Sequence, residues 1–131
     1  MSSTGEVYLG LYGDEFEPDE VSRYIGLSAT QIRRKGERSK QVPLPRNSAW
    51  KFSSGKIEND LIDVYELSEK LISNLLPYKQ KIVEAKEKFG LTCVLQVVIW
   101  IDQDESKSMP AIGFEYNVID FLKEIGGSMS V

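Results

Sequence analysis

The residues with the strongest chemical character form two runs of opposite charge. In "RRKGERSKQVPLPR", Arg33, Arg34, Lys35, Arg38, Lys40 and Arg46 stand against one acid, Glu37. In "DEFEPDE", Asp14, Glu15, Glu17, Asp19 and Glu20 crowd together. Concentrated cations neutralise phosphates or steer an acidic partner. Concentrated carboxylates hold a divalent cation or meet a basic partner. Neither run selects a single chemistry. The basic run lacks aromatic residues on which bases would stack, and a chain of net charge -4 repels a polyanion. The acidic run lacks the ligand spacing and central glycine of an EF-hand loop, and Asp19 and Glu20 are also explained by a helix start.

The basic run therefore reads as a solvated hairpin, a protein contact or a nucleic-acid grip. The acidic run reads as helix-start electrostatics, a contact for a basic partner or a metal site. A protein contact would use Arg33, Arg34, Lys35, Arg38, Lys40 and Arg46, with Asp14, Glu15 and Glu17. If these side chains are exposed, reversing Arg33, Arg34 and Arg38 leaves folding nearly intact, within about 0.5 kcal/mol per site. The two runs could also pair with each other, at ~0–1 kcal/mol for each exposed pair.

Much other chemistry is missing. The chain has no histidine, so the commonest general base and the Ser-His and Cys-His nucleophile schemes are absent. Cys93 is the single cysteine; it cannot form an internal disulfide or a thiolate metal site alone, and in "LTCVLQVVIWI" it reads as a small buried residue. No glycine-rich phosphate loop is visible. No catalytic residue, metal site or cofactor is expected. Any reaction would rest on carboxylates, lysine or tyrosine, and Tyr8, Tyr12, Tyr65 and Tyr116 would have to converge on a pocket. Trp50 and Trp100, on apolar strands, read as core residues.

The elements that would position these groups follow from periodicity. "EVYLGLY" alternates as a strand, with Val7, Leu9 and Leu11 on one side and Tyr8 and Tyr12 on the other. Pro18 opens a short helix that Gly26 ends. Gln31 to Lys35 has weak strand character, Gly36 marks a turn, and "AWKFSSG" is a half-buried strand with Trp50 and Phe52 on one face. Glu58 to Gly90 is helical, with Leu61, Tyr65, Ile72 and Leu76 at helical spacing and Leu71 and Leu75 beside them. Pro77 splits it in two, because an interior proline costs ~3 kcal/mol.

"LTCVLQVVIWI" is apolar enough for a strand in mid-sheet. "AIGFEY" reads as its hairpin partner, Asn117 as the cap of a last helix, and "SMSV" as an edge strand. The order β-α-β-β-α-α-β-β-α-β predicts a single α+β domain over 1–131, a mainly antiparallel sheet with helices packed on one face. No run approaches the ~20 apolar residues of a membrane span, and "MSSTGEVYLG" lacks the basic and apolar regions expected of a signal peptide; a cytoplasmic protein is expected.

The succession of "DEFEPDEVSRYIGLSAT", "RRKGE", the "W-x-F-S-S" strand, the Leu-Pro break, "VVIWI" and "FLKEIGGSMSV" resembles the bacterial domain of unknown function 4279 family, over roughly Glu6 to Val131. Pattern residues present are Pro18, Gly26, Leu27, Gly36, Trp50, Ser53, Ser54 and Gly126. The resemblance implies a small cytoplasmic bacterial protein of toxin-neutralising, immunity type, and transfers no catalytic residue. Two other classes stay open: a histidine-free small-ligand binder or enzyme, and a nucleic-acid binder working through the basic run.

Overall fold

The computed structural model describes residues 3–36, 47–59, 62–100 and 113–130. Strand β1, Ser3–Gly13, leads into helix α1, Pro18–Ile25. Strands β2 (Gln31–Arg33), β3 (Ser48–Ser53) and β4 (Ile57–Asn59) follow. Helix α2, Val64–Leu75, passes through a 3-10 turn, Leu76–Tyr78, into α3, Lys79–Phe89. Strand β5 (Thr92–Trp100), helix α4 (Tyr116–Ile125) and strand β6 (Ser128–Ser130) complete the fold. The fold is α+β, as the sequence pattern predicts, with short β4 added.

The sheet runs β2-β3-β1-β5-β6, and β4 also pairs with β1. All pairs are antiparallel except β5 with β6. The long, apolar β5 lies between β1 and β6, the inner position its composition demands. The expected return strand at "AIGFEY" falls partly outside the described residues; Gly113 to Glu115 are unpaired coil and Tyr116 begins α4.

Alternation gives the sheet two distinct faces. Val7, Leu9 and Leu11 are fully buried on β1, with Trp50 on β3 and Cys93, Leu95 and Val97 on β5. They form one cluster with Val21, Leu71, Ile82 and Phe121 from the four helices. The helices therefore pack on this inner face. Gly5 shows how closely α2 and the residues leading into it approach, since a Cβ there would stand 2.6 Å from Ile62 Cγ2 and 3.5 Å from Leu67 Cδ1 of α2. Register assigns Glu6, Tyr8, Gly10 and Tyr12 to the outer face, with Lys51 and Ser53 of β3 and Val94, Gln96 and Val98 of β5.

Local chemistry sets the helix ends. Pro18 occupies the first turn of α1, Glu17 caps it by accepting from Asp19 N, and Gly26 closes it at φ 84°. Only glycine enters that left-handed region without a Cβ penalty. Helix α2 starts at Val64, with Asp63 as its cap, rather than near Glu58, which lies in β4. Its buried stripe is Val64, Leu67, Ser68, Leu71, Ile72 and Leu75. Tyr65 and Leu76, expected in that stripe, are exposed. Both apolar stripes are helical in period, and contact with β1 selected the one holding more aliphatic residues. Pro77 lies in the 3-10 turn between α2 and α3, which tolerates its missing N–H. Glu115, not Asn117, occupies the N-cap position of α4, without a side-chain cap bond. Among the described residues, no helix is long and apolar enough to cross a membrane.

Candidate functional site

The acidic and basic runs meet at the start of α1. The Arg34 guanidinium donates from Nε to Glu17 Oε1 at 3.1 Å and from Nη2 to the same oxygen at 2.7 Å. Its Nη2 also donates to Asp19 Oδ2 at 2.9 Å. Lys35 Nζ pairs with Asp14 Oδ1 at 3.1 Å, and Lys35 N donates to Ser48 Oγ. The Arg34 hydrogen bond lowers the Glu17 carboxyl from its ordinary 4.5, against a smaller opposing effect of desolvation. Glu15, Glu17, Arg34 and Lys35 line an open hollow of about 330 Å³ with Phe16 and Ser48.

The pairing of the two runs with each other, one of the readings the sequence allows, is present at Arg34 and Lys35, so this surface is partly neutralised. Arg34 is not a freely reversible position, because its planar fork bridges two carboxylates. Arg33 points elsewhere, onto the outer face. Arg38, Lys40 and Arg46 lie outside the described residues.

The outer face gathers a second set of groups. Register puts Tyr12, Ala49 and Arg33 side by side across three strands, and Gly10, Lys51 and Gln31 in the next row. The Tyr12 ring lies over Gly10, occupying the space a Cβ would need. Burial, then the charge and hydrogen bond of neighbouring Tyr8, push the Tyr12 phenol above its ordinary range, with Arg33 pulling the other way. The Lys51 ammonium sits 5.1 Å from the centre of the Tyr8 ring, a favourable cation–π placement. Burial and then the Arg33 charge lower the Lys51 ammonium below its usual range, and Glu6 offsets part of this. Ser53 Oγ donates to Glu6 Oε2 at 2.6 Å.

Tyr8 and Tyr12 therefore meet, whereas Tyr65 and Tyr116 do not join them. Tyr65 lies on α2, its ring against Gly113, and Tyr116 is 84% exposed. Trp50 is core, as expected, but Trp100 is not. It is half exposed at the end of β5, with Lys56 Nζ 5.0 Å from its ring centre. An apolar run that ends a strand on the outer face has no helix to bury its last aromatic. Sequence reading passed over Lys51, although its position between Trp50 and Phe52 already assigned it to the opposite face. Cys93 is buried on the inner face, and burial pushes its thiol up to about 12.

Membership of a family rests on the whole chain rather than on these clusters. No curated protein matches the chain, and no solved structure matches it. The family model described as Domain of unknown function (DUF4279) matches residues 2–131, nearly the full length, and the protein belongs to that family.

Proposed function

We propose that the protein is a non-catalytic binding module that engages a protein partner through the outer face of its sheet. The observation that carries this reading is the one-sided packing of the helices. The outer face is left with a mixture of phenols, cations and polar side chains, Tyr8, Tyr12, Lys51 and Gln96 among them. Interfaces favour tyrosine, which supplies apolar area and a hydrogen-bonding tip with few rotatable bonds. Shape and charge complementarity suffice for such a role, and no reactive group is required. The module would be of immunity, toxin-neutralising type, in a bacterial cytoplasm, as the resemblance implies.

The test is co-expression with the products of the genes flanking it in its source genome. A one-to-one complex that Val98→Asp on the outer face weakens at least tenfold, and Glu66→Lys on α2 leaves intact, is expected. Equal weakening by both, or dependence on the helix-side substitution alone, would move the interface away from the sheet. Growth protection by the chain when the flanking product is toxic would establish the neutralising role.

A second reading, a histidine-free small-ligand binder or enzyme, draws on the same Tyr8, Tyr12 and Lys51 patch. It requires a substrate turned over by the pure chain, with the reaction lost in Tyr12→Phe or Lys51→Met. A nucleic-acid role through the basic run has less support, because Arg34 and Lys35 already meet carboxylates.

A further inference from the structure

Two cations stand together on the outer face and, among the described residues, outnumber the one carboxylate whose charge reaches them, Glu6 near Lys51. Arg33 and Lys51 are diagonal neighbours across β2 and β3, on the same side of the sheet. Among the described residues, register gives this face two carboxylates, Glu6 and Glu58, both toward the other end of β1. Glu6 already accepts from Ser53. The Arg33 guanidinium is under-bonded: Nη2 donates to Asn47 Oδ1, while Nε is buried with no partner. Desolvated like charges side by side are costly, and an incoming anion offsets that cost. The Lys51 ammonium is lowered first by burial and then by the Arg33 charge, with Glu6 offsetting part of it.

We propose that Arg33 and Lys51, above a floor made by Tyr8 and Tyr12, form a contact site for an acidic segment of a partner protein. The inference rests on the binding-module reading and names the chemistry of the partner. A carboxylate suits the planar Arg33 fork and the point charge of Lys51. The Tyr12 hydroxyl is engaged with Tyr8, and the two rings offer area to the segment's apolar atoms. Two cations on a flat face do not make the long basic track that a nucleic acid follows, and the chain's net charge is -4. A short acidic stretch of protein fits both the size and the sign of the patch.

The test is a titration of isotope-labelled protein followed by amide chemical shifts, with a hexaglutamate peptide as probe. Shifts are expected at Tyr8 to Tyr12, Ile32 to Arg33 and Trp50 to Lys51, fading as salt is raised. Lys51→Met and Arg33→Gln should each weaken binding about tenfold, roughly 1.4 kcal/mol, while Lys51→Arg retains most of it. Circular dichroism on each variant separates lost binding from lost fold, and the Lys51→Arg comparison stands even if Arg33→Gln unfolds. Shifts confined to residues 34–46 and indifferent to Lys51→Met would overturn the assignment. So would tighter binding of octathymidylate to the same residues. If a flanking-gene partner binds through the outer face but ignores Lys51→Met and Arg33→Gln, the acidic contact falls and the binding module stands. If the hexaglutamate site is confirmed but no partner uses the outer face, the module reading fails instead.

Discussion

The indole N–H of Trp50 donates to Ser22 Oγ across 2.9 Å, tying the inner face of the sheet to helix α1. The two residues are 28 positions apart, and Trp50 is fully buried. Ser22→Ala leaves that N–H without its partner and is expected to cost about 1–2 kcal/mol. Trp50→Ala adds a large cavity and should cost about 3–5 kcal/mol. Urea denaturation checks both. A Ser22→Ala midpoint equal to wild type would mean that the bond contributes nothing net.

Arg34 and Glu17 predict a pH dependence. The folded-state carboxyl of Glu17 is lowered below its ordinary 4.5, first by the Arg34 hydrogen bond. A lowered carboxyl stabilises the fold above its unfolded pKa, and the contribution disappears as pH falls through the folded value. Arg34→Met should therefore lower Tm at neutral pH, with the gap to wild type narrowing as pH falls below the ordinary 4.5 of the carboxyl. A gap that persists in acid would assign the loss to packing of the arginine stem instead.

Lys86 of α3 reaches the end of another helix. Its Nζ donates to Gly126 O at 2.7 Å and to Ile125 O at 3.2 Å, satisfying terminal carbonyls of α4. A cation there also meets the negative end of the helix dipole. Lys86→Met should destabilise by about 1 kcal/mol, and Lys86→Arg by less. Hydrogen exchange should show the loss concentrated at Leu122 to Gly127. Uniform loss across the molecule would point to a change in the core.

Cys93 should be inert in the native protein. Its thiol is 1% exposed and, chiefly through burial, carries a pKa of about 12, so little thiolate exists at neutral pH. Ellman's reagent at pH 8 is expected to label it only after denaturant is added. Rapid labelling without denaturant would reveal local opening between β5 and α4, where Gly127 approaches Cys93.

The order of elements was written in the chain, because strand alternation, helix period and the Pro18, Gly26 and Pro77 boundaries are short-range signals. The two sides of β1 were equally legible, since Tyr8 and Tyr12 alternate with Val7, Leu9 and Leu11. Contacts between elements were not. Period alone could not choose between the stripe of α2 holding Tyr65 and the adjoining one, Leu67, Leu71 and Leu75, that is buried. It could not see that β5 carries Trp100 to the outer face at its end. Nor could it tell that Arg34 turns to Glu17 while adjacent Arg33 turns to the neighbourhood of Lys51 and Tyr12. Adjacent strand residues project to opposite sides, but what waits on each side is set by register with strands far away in sequence. Local rules thus set the type of most segments, though not of β4 around Glu58 or of the stretch ending at Tyr116, whereas the meeting of Arg33, Lys51, Tyr8 and Tyr12 depended on strand pairing, which only the folded sheet supplies.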